Sequence, residues 1–587
     1  GNGHNTAVGA RSQREATTGE FNTSLGSLSM GAGITTGDYN VAIGYNTGLS
    51  ITTGTDNTIV GGLAGDALTT GERNVAIGRS AMGSANGSES RNTAIGWSAL
   101  ATMDADGAGY NTAVGYNAGA GITTGVQNTI IGGLAGDALT EGTANTIFGY
   151  TAGTNLETGS SNVAIGSAAM NSANGSESRN VAIGVNALYN MDSDGQNYNV
   201  AVGYNAGLSV TTGSKNTLIG GNAGLALTTG VFNTAVGFEA LHSEDEGHYN
   251  TAIGYHALTT LNVDNGYNTA VGFEAGKLMT TGVQNTLIGS LAGDALTSGS
   301  DNVAVGYHAL SAEDGNGGNV AVGKFALLLQ NAGADAYNVA IGFEAGKTIS
   351  TGVRNTIVGG LAGDAITEGE KNVLLGYNAG GSLTTGSNNI AIGNQALDAE
   401  DGHGRNVAIG RDALTSLNAG ADAYNIAIGY STGAAMTTGI QNTIVGGLAG
   451  DAVTTGSANI LLGYDAGGQI TIGTDNVAIG NHALNAETEH GRNVAIGHES
   501  LGSQNAGAHA YNTAVGYYTG NAITTGIKNT IMGGLAGDAL TTGNNNIAMG
   551  YGALGSEDTG SRNVAIGQDA LNSLNYDGNG YNVAIGH

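Results

Sequence analysis

Apolar and polar residues recur with one short period along the chain. Each unit begins with Asn, followed usually by Val or Thr, then Ala, an aliphatic residue and Gly, as in NVAIG at residues 40–44. The unit occurs 34 times between Asn5 and Asn582, at intervals of 17 residues in 23 cases, 18 in 4 and 19 in 6. This regularity predicts a single continuous repeat region over residues 1–587, without a linker or visible caps.

The residue order within a unit predicts short extended segments. The five residues of NTAVG are small, β-branched or aliphatic, which favours a strand. A second apolar stretch follows and often ends in T-T-G, so we expect two extended segments per unit, with glycines at the fifth and fifteenth positions forming corners. A helix over LAGDALTTG is the alternative, but glycines interrupt it.

Units of 17 to 19 residues are too small to bury an apolar side alone, so they must stack on their neighbours. The predicted fold is all-β: a parallel β-solenoid, or β-roll, of about 34 turns. With a strand spacing of about 4.8 Å, the turns would form an elongated rod on the order of 160 Å long.

The asparagine that heads each unit has a structural explanation. Stacked in successive turns, the side-chain amides can hydrogen-bond along the rod as a ladder, as Asn and Gln do in cross-β stacks. We prefer this role to ligand binding. The asparagines assigned to the predicted ladder are Asn40, Asn57, Asn74, Asn92, Asn111, Asn128, Asn145, Asn162, Asn180 and Asn199.

A longer period groups the units into blocks of four or five. Tyr-Asn starts a block near residues 40, 111, 199, 268, 338, 425 and 512, and the same pair recurs at Asn582. The segment NTIVGGLAGDALTTG at residues 57–71, which returns almost unchanged five times and once more loosely, is always the second unit of a block. The segment therefore marks one place in a superhelical pattern.

Composition narrows the function classes. The chain has 106 glycines, no proline, no cysteine and 11% charged residues, so neither disulfides nor thiolate metal sites can form. Its net charge of −29, with only 17 basic residues, argues against a nucleic-acid surface. No apolar run approaches the roughly 18–20 residues that span a bilayer, so we predict no membrane insertion.

The repeats resemble those of two families of surface proteins. NTAVGYNAG at residues 111–119 and NVAIGVNAL at residues 180–188 are similar to the head repeats of trimeric autotransporter adhesins, and more similar to repeats of phage tail-fibre and related proteins. The resemblance covers essentially the whole chain. It implies a homotrimeric, extracellular fibre at a cell surface or on a virion. The adhesin-head unit is shorter, however, and no stalk, anchor or chaperone domain is visible.

One sequence feature supports a trimer independently. The second and fourth residues of NVAIG face one side and the third faces the other. In ten units the third residue is Ile or Leu, so these strands would be apolar on both faces, as in strands buried on both sides. One face would fill the solenoid and the other a subunit interface, where the large third-position residues would lie. A wide monomeric solenoid is the alternative.

Calcium is the ligand that the motifs suggest most strongly. GGLAGDALT resembles a calcium-binding nonapeptide, but that motif needs tandem copies, whereas these are about 70 residues or more apart. MDADG and MDSDG place two carboxylates before a glycine. Solvated turns explain both better, and we predict no metal site and no cofactor. The acidic residues concerned are Asp66, Asp137, Asp294, Asp364, Asp451 and Asp538 in the first motif, and Asp104, Asp106, Asp192 and Asp194 in the second.

Catalysis is not expected. Adjacent carboxylates in SEDEGHYN, SAEDGNGGN and DAEDGHGRN should lie on exposed loops, where they favour solubility rather than glycosidase chemistry. GYSTG at residues 429–433 matches the GxSxG pattern around a nucleophilic serine, here Ser431, but its first glycine is the ordinary glycine of the repeat. ETEH at residues 487–490 is isolated and expected at the surface.

The sequence therefore predicts a non-catalytic structural component of an extracellular fibre, a rigid multivalent rod. Two alternatives stay open. One is a binding module for a cell-surface glycan or receptor, using the long turns that end in Tyr-Asn. The other is a filament in which solenoids join end to end.

Overall fold

The computed structural model describes residues 3–587; residues 1 and 2 of the predicted repeat region lie outside the described residues. The described chain is an all-β parallel β-solenoid of about 34 turns and contains no helix, as the sequence predicts. It divides into two compact units: the first ends at Gly299, and the second begins at Ser300. The continuity of the repeat region over residues 1–587 stays a prediction.

Every turn contributes one strand of three residues. The strands of the first unit are β1 Thr6–Val8, β2 Thr23–Leu25, β3 Val41–Ile43, β4 Thr58–Val60, β5 Val75–Ile77, β6 Thr93–Ile95, β7 Thr112–Val114, β8 Thr129–Ile131, β9 Thr146–Phe148, β10 Val163–Ile165, β11 Val181–Ile183, β12 Val200–Val202, β13 Thr217–Ile219, β14 Thr234–Val236, β15 Thr251–Ile253, β16 Thr269–Val271 and β17 Thr286–Ile288.

The second unit repeats this arrangement. Its strands are β18 Val303–Val305, β19 Val320–Val322, β20 Val339–Ile341, β21 Thr356–Val358, β22 Val373–Leu375, β23 Ile390–Ile392, β24 Val407–Ile409, β25 Ile426–Ile428, β26 Thr443–Val445, β27 Ile460–Leu462, β28 Val477–Ile479, β29 Val494–Ile496, β30 Thr513–Val515, β31 Thr530–Met532, β32 Ile547–Met549, β33 Val564–Ile566 and β34 Val583–Ile585.

Within each unit, neighbouring strands pair in parallel and in register. In β3 and β4, for example, Val41, Ala42 and Ile43 face Thr58, Ile59 and Val60. Equivalent residues of successive turns are therefore stacked, and a unit of 17 strands extends for roughly 75 Å at about 4.8 Å per step.

A glycine ends each strand for a steric reason. Gly132 follows β8 at φ +141°, and a Cβ at this position would overlap the carbonyl group of Gly149 in the next turn. A residue with a side chain could adopt neither this angle nor this approach without strain. The fifth-position glycine is thus set by the fold, as expected from the sequence.

The prediction of a second extended segment per turn is wrong. After the strand, the backbone forms turns in which the seventh and ninth residues have positive φ, as at Asn46 and Gly48. The seventh and ninth residues donate backbone hydrogen bonds in opposite directions. In the turn of Asn57, Leu63 N–H donates to the Tyr45 carbonyl of the preceding turn at 2.8 Å, and Gly65 N–H donates to the Ala81 carbonyl of the next turn at 2.9 Å. The backbone is paired from turn to turn without being a strand.

The core of each turn is narrow and apolar. The third and eighth residues, together with an aliphatic residue at the ninth or twelfth position, are buried inside the solenoid, as Ala94, Ala99, Leu100 and Met103 show. The large third-position residues lie here too: Ile130 is fully buried within a single chain. They fill the solenoid and do not lie at a subunit interface, which corrects the sequence-based expectation.

The outward face of the strand carries the second and fourth residues. They are mostly Val, Ile or Thr and are half-exposed, and several isoleucines keep about two-fifths of their surface accessible, such as Ile219, Ile288 and Ile460. Stacking of the turns aligns these side chains into an apolar stripe along each unit, which we call the strand stripe.

Candidate functional site

The asparagine ladder predicted from the sequence is present and buried. Asn57 donates its backbone N–H to Oδ1 of Asn40 at 3.1 Å and its Nδ2 to the same oxygen at 2.9 Å. The same Nδ2 also donates to the carbonyl of Gly71 at the end of its own turn, at 2.8 Å. Each asparagine side chain thus links two neighbouring turns and also connects the start of its own turn to the end of that turn.

All ten asparagines singled out in the sequence occupy this position. Each is buried, and each donates its backbone N–H to Oδ1 of the preceding asparagine. A buried N–H that is paired only through a side chain explains why Asn is required: a shorter or apolar side chain would leave it without an acceptor.

The acidic turns contain fully buried glutamates, although the carboxylates of SEDEGHYN, SAEDGNGGN and DAEDGHGRN were expected on exposed loops. The structure instead buries one glutamate in the turn before each long turn that ends in Tyr-Asn, from the second to the eighth of these pairs. The buried residues are Glu89, Glu177, Glu244, Glu313, Glu400, Glu487 and Glu557. Glu487 belongs to ETEH, so the expected surface position of that segment is wrong for this residue.

The buried glutamates hold the polypeptide of the long turns. Glu557 accepts a hydrogen bond from Gly560 N–H of its own turn at 2.7 Å and one from Tyr576 N–H of the following long turn at 3.3 Å. Glu177, Glu244 and Glu400 likewise accept the amide of the fourteenth residue of the next turn. A carboxylate can satisfy amides that the enlarged turn leaves without stacked partners.

Burial changes the acidity of these groups. It raises the pKa of Glu244 to about 7, with nearby Asp245 adding to the rise and the backbone hydrogen bonds opposing it. Burial is also the main cause of the raised pKa of Glu177, Glu313, Glu400 and Glu487. Their recurrence before the Tyr-Asn pair was the sequence signal that could have identified them.

In five long turns, the tyrosine at the end is paired with an arginine one turn earlier. The Arg91 guanidinium lies 5.4 Å from the ring centre of Tyr110, and its Nη1 donates to the phenol oxygen at 2.5 Å. The same arrangement joins Arg179 to Tyr198, Arg405 to Tyr424, Arg492 to Tyr511 and Arg562 to Tyr581. One face of each ring is therefore covered by the guanidinium, and the tyrosines are about half exposed.

The segments that resemble calcium-binding motifs do not lie close to one another in the structure. The six aspartates of the GGLAGDALT motif lie one to a block, so Asp66 and Asp137 are four turns, or about 20 Å, apart. Asp104, Asp106, Asp192 and Asp194 are exposed in their long turns, as solvated turn residues would be. Among residues 3–587, the one cluster with three acidic or histidine ligands is Glu400, Asp401 and His403, and Glu400 is already bonded to backbone amides.

Two further polar sites are Ser431 and the surroundings of His482. Ser431 is half-buried at φ +50° in an ordinary turn. A polar cleft of about 290 Å³ lies beside His482 and Glu499. His482 Nδ1 lies 2.9 Å from Asp465 Oδ2, and Asn485 donates to the same oxygen, so this carboxylate is shared within a surface network.

Comparisons with known proteins leave the family open: no family model matches the chain, and no curated protein matches it. Across residues 3–587, no helix has the length and apolar character needed to cross a membrane.

Proposed function

We propose that the protein is a non-catalytic structural component of an extracellular fibre, such as an adhesin head or a tail-fibre shaft. The observation that carries the proposal is the turn-to-turn stacking within each unit, where strands, backbone turns and the asparagine ladder all bond to the same neighbours. Such a unit resists bending because every turn is fixed by several hydrogen bonds at once.

The strand stripe supports self-association, with a homotrimer as the proposed assembly. Half-exposed apolar side chains recur on this face along the stacked turns, for example Ile426, Ile428 and Ile460. Contiguous apolar surface of this kind is typical of protein interfaces. Each copy would contribute the second and fourth residues of its strands, and the third-position residues would stay in the core of its own solenoid.

The solution mass, measured by sedimentation equilibrium over a range of concentrations, tests the assembly. We expect the mass of three chains. A mass of one chain at every concentration would reject self-association, and a mass that keeps growing with concentration would indicate end-to-end filaments in place of a closed trimer.

A second candidate is recognition of a cell-surface glycan or receptor by the long turns. The exposed arginine–tyrosine pairs favour it, because a guanidinium and a phenol repeat there at block intervals. Alanine at Tyr110, Tyr198, Tyr337 and Tyr424 should weaken binding to cell surfaces while circular dichroism stays unchanged. Unchanged binding by the folded variant would reject this role.

A further inference from the structure

A second line of aromatic rings runs along each unit, at the residue that follows the corner glycine. Where Trp, Tyr or Phe occupy this sixth position in adjacent turns, their rings stack face to face. Trp97 and Tyr116 have ring centres 4.9 Å apart and planes 8° apart, and Tyr255 and Phe273 are 5.3 Å and 7° apart. We call this line the ring column.

The ring column is interrupted by glycine in the second turn of six of the seven blocks, and by Ser290 in the block that begins near residue 268. In five blocks an aromatic ring stands in the turn before the glycine and another in the turn after it. The five sets are Tyr116–Gly133–Tyr150, Tyr204–Gly221–Phe238, Phe343–Gly360–Tyr377, Tyr430–Gly447–Tyr464 and Tyr517–Gly534–Tyr551. Each glycine leaves a slot between two rings.

The fold does not require these glycines. None of the five has a positive φ, in contrast to the corner glycine before each. At four of the glycines a Cβ would meet the ring of the next turn at an ordinary distance, 3.7 Å at Gly133 and 3.5 Å at Gly534. At Gly221 the contact with the Phe238 ring would be tighter, at 3.3 Å. Ser167 occupies the same position in another turn, so a side chain is accepted there. The glycines keep the slots open.

Each slot is the height of one missing ring. Two turns separate its walls, which places them about 10 Å apart, and rings in adjacent turns already stack at half that distance. The walls are accessible: Tyr150 is 62% exposed, whereas Tyr255, with rings stacked on both sides, is 43% exposed. A ring-shaped group inserted from solvent would contact both walls.

We propose that the five slots bind single sugar rings of a neutral glycan, each pyranose lying between two aromatic walls. The C–H groups of a sugar face carry partial positive charge and pack on the electron-rich faces of Tyr and Phe. The residue after the first wall is polar and half-exposed in every slot, which suits hydroxyl groups of a bound sugar. These residues are Asn117, Asn205, Glu344, Ser431 and Tyr518.

Charge decides against other ring-shaped ligands. Carboxylates follow a wall ring in three slots, at Glu239, Glu344 and Asp465, and the chain has a net charge of −29, so anionic nucleic acids and acidic glycans are repelled. A cationic ligand would need a carboxylate in every slot. The walls Tyr116 and Tyr150 are followed by Asn117 and Thr151, which are uncharged. A neutral ring is the ligand that all five slots share.

The spacing suits a polymer. Within the second unit, Gly360, Gly447 and Gly534 are successively five turns apart, which is about 24 Å between neighbouring slots. Several weak contacts of one chain-like glycan, or of a dense glycan layer, would then add up to tight binding. The proposal does not depend on the fibre function above, because it concerns a different surface and a different measurement.

The test is a printed array of neutral oligosaccharides, sialylated oligosaccharides and choline conjugates, followed by titration calorimetry with the best neutral sugar. The variant G133Y/G221Y/G360Y/G447Y/G534Y fills every slot with the ring that the column carries elsewhere. S167Y is the matched control, because it adds a ring to the same column outside the slots. We expect wild type and S167Y to bind neutral sugars and the filled variant to bind at least tenfold more weakly.

Three results would overturn the proposal. The first is equal binding of neutral sugars by wild type and the filled variant. The second is preference for sialylated or choline probes. The third is absence of sugar binding together with a lower sedimentation mass for the filled variant, which would assign the slots to a second copy of the chain. If circular dichroism shows that the filled variant is misfolded, the variant Y116A/Y204A/F343A/Y430A/Y517A replaces it. This variant removes the first wall of each slot and should show the same loss of binding.

Discussion

A single ladder asparagine makes bonds that no other side chain of its size can make. Asn128 accepts the backbone N–H of Asn145 at 2.9 Å, and its Nδ2 donates to the Gly142 carbonyl at 2.9 Å. We predict that Asn128→Ala lowers the free energy of unfolding by about 2–5 kcal/mol, because it leaves a buried donor and a buried acceptor without partners. Thermal denaturation measures the loss.

Hydrogen exchange locates the same effect. The amide of Asn145 should exchange faster in Asn128→Ala, while amides several turns away stay protected. Gln127→Ala is the matched control, because Gln127 is the exposed neighbour and Ala occupies the equivalent place at Ala144. Equal stability of the two variants would show that the ladder contributes little.

The buried glutamates predict a dependence of stability on pH. Glu244 ionises at pKa about 7 when folded and near 4.5 when unfolded. Below pH 4.5 both states hold the proton; as pH rises to 7 the unfolded state ionises first, so the free energy of unfolding falls, by at most about 3 kcal/mol. Glu244→Gln keeps an acceptor oxygen and removes this loss. Wild type should therefore lose stability relative to Glu244→Gln between pH 5 and pH 8.

The comparison uses melting temperatures of both proteins across that range. Glu246→Gln serves as the control, since Glu246 is exposed in the same turn and its change should leave the slope with pH unaltered. Parallel curves for wild type and Glu244→Gln would contradict the raised pKa.

The ladder was predicted from the sequence, whereas the buried glutamates were not, although they recur before the Tyr-Asn pair. Asn recurs at a fixed place before an apolar strand, and stacking alone then puts its amide beside the next. A glutamate beside Asp and Gly looks like a solvated turn residue, because burial of a carboxylate is costly without partners. Its partners, such as Val263 N–H for Glu244, lie in the next turn and depend on how the long turn is folded.

Within a turn, core volume is exchanged between the third and ninth positions. The turn of Asn92 has Ala94 and Leu100 there, whereas the turn of Asn57 has Ile59 and Gly65. The three atoms nearest to a Cβ on Gly65 would all be side-chain carbons of Ile59, the nearest at 3.1 Å. The large third-position residues therefore replace the leucine of other turns.

This exchange gives a double-substitution test. Ile59→Ala should cost about 2–5 kcal/mol by opening a cavity in the core. Adding Gly65→Leu restores the combination found at Ala94 and Leu100, where Leu100 also has positive φ, and should recover at least half of the loss. Melting temperatures of the two single variants and the double variant measure the coupling. Additive losses would show that the two positions do not share one space.

The period predicted the number of turns and the parallel strands, but not the shape of each turn. The sequence indicated a second extended segment because apolar residues recur after the strand. The structure replaces it with turns at positive φ, as at Leu63 and Gly65. Hydrophobic patterning reports which side chains are buried, and it does not distinguish a strand from a turn that buries the same residues.

Along each unit, the strand stripe is the feature that stacking alone creates. A half-exposed Ile is ordinary on a protein surface, but a continuous line of Val and Ile over many turns is not. The sequence showed that these strands are apolar on both faces; the structure assigns the third residue to the core and leaves the second and fourth half-exposed. The proposed trimer now rests on that outer face.

Charged residues on this face should therefore break the assembly without unfolding the chain. We predict that Ile426→Lys, Ile428→Lys and Ile460→Lys together reduce the sedimentation mass from three chains to one, since burying unpaired lysines against equivalent lysines is strongly unfavourable. Circular dichroism should not change, because all three side chains are partly exposed in the single chain. Lysine at Thr437, Thr454 and Thr471, which lie outside the strand stripe, is the control and should leave the mass unaltered. A trimer that survives the strand-stripe substitutions would place the interface elsewhere on the solenoid.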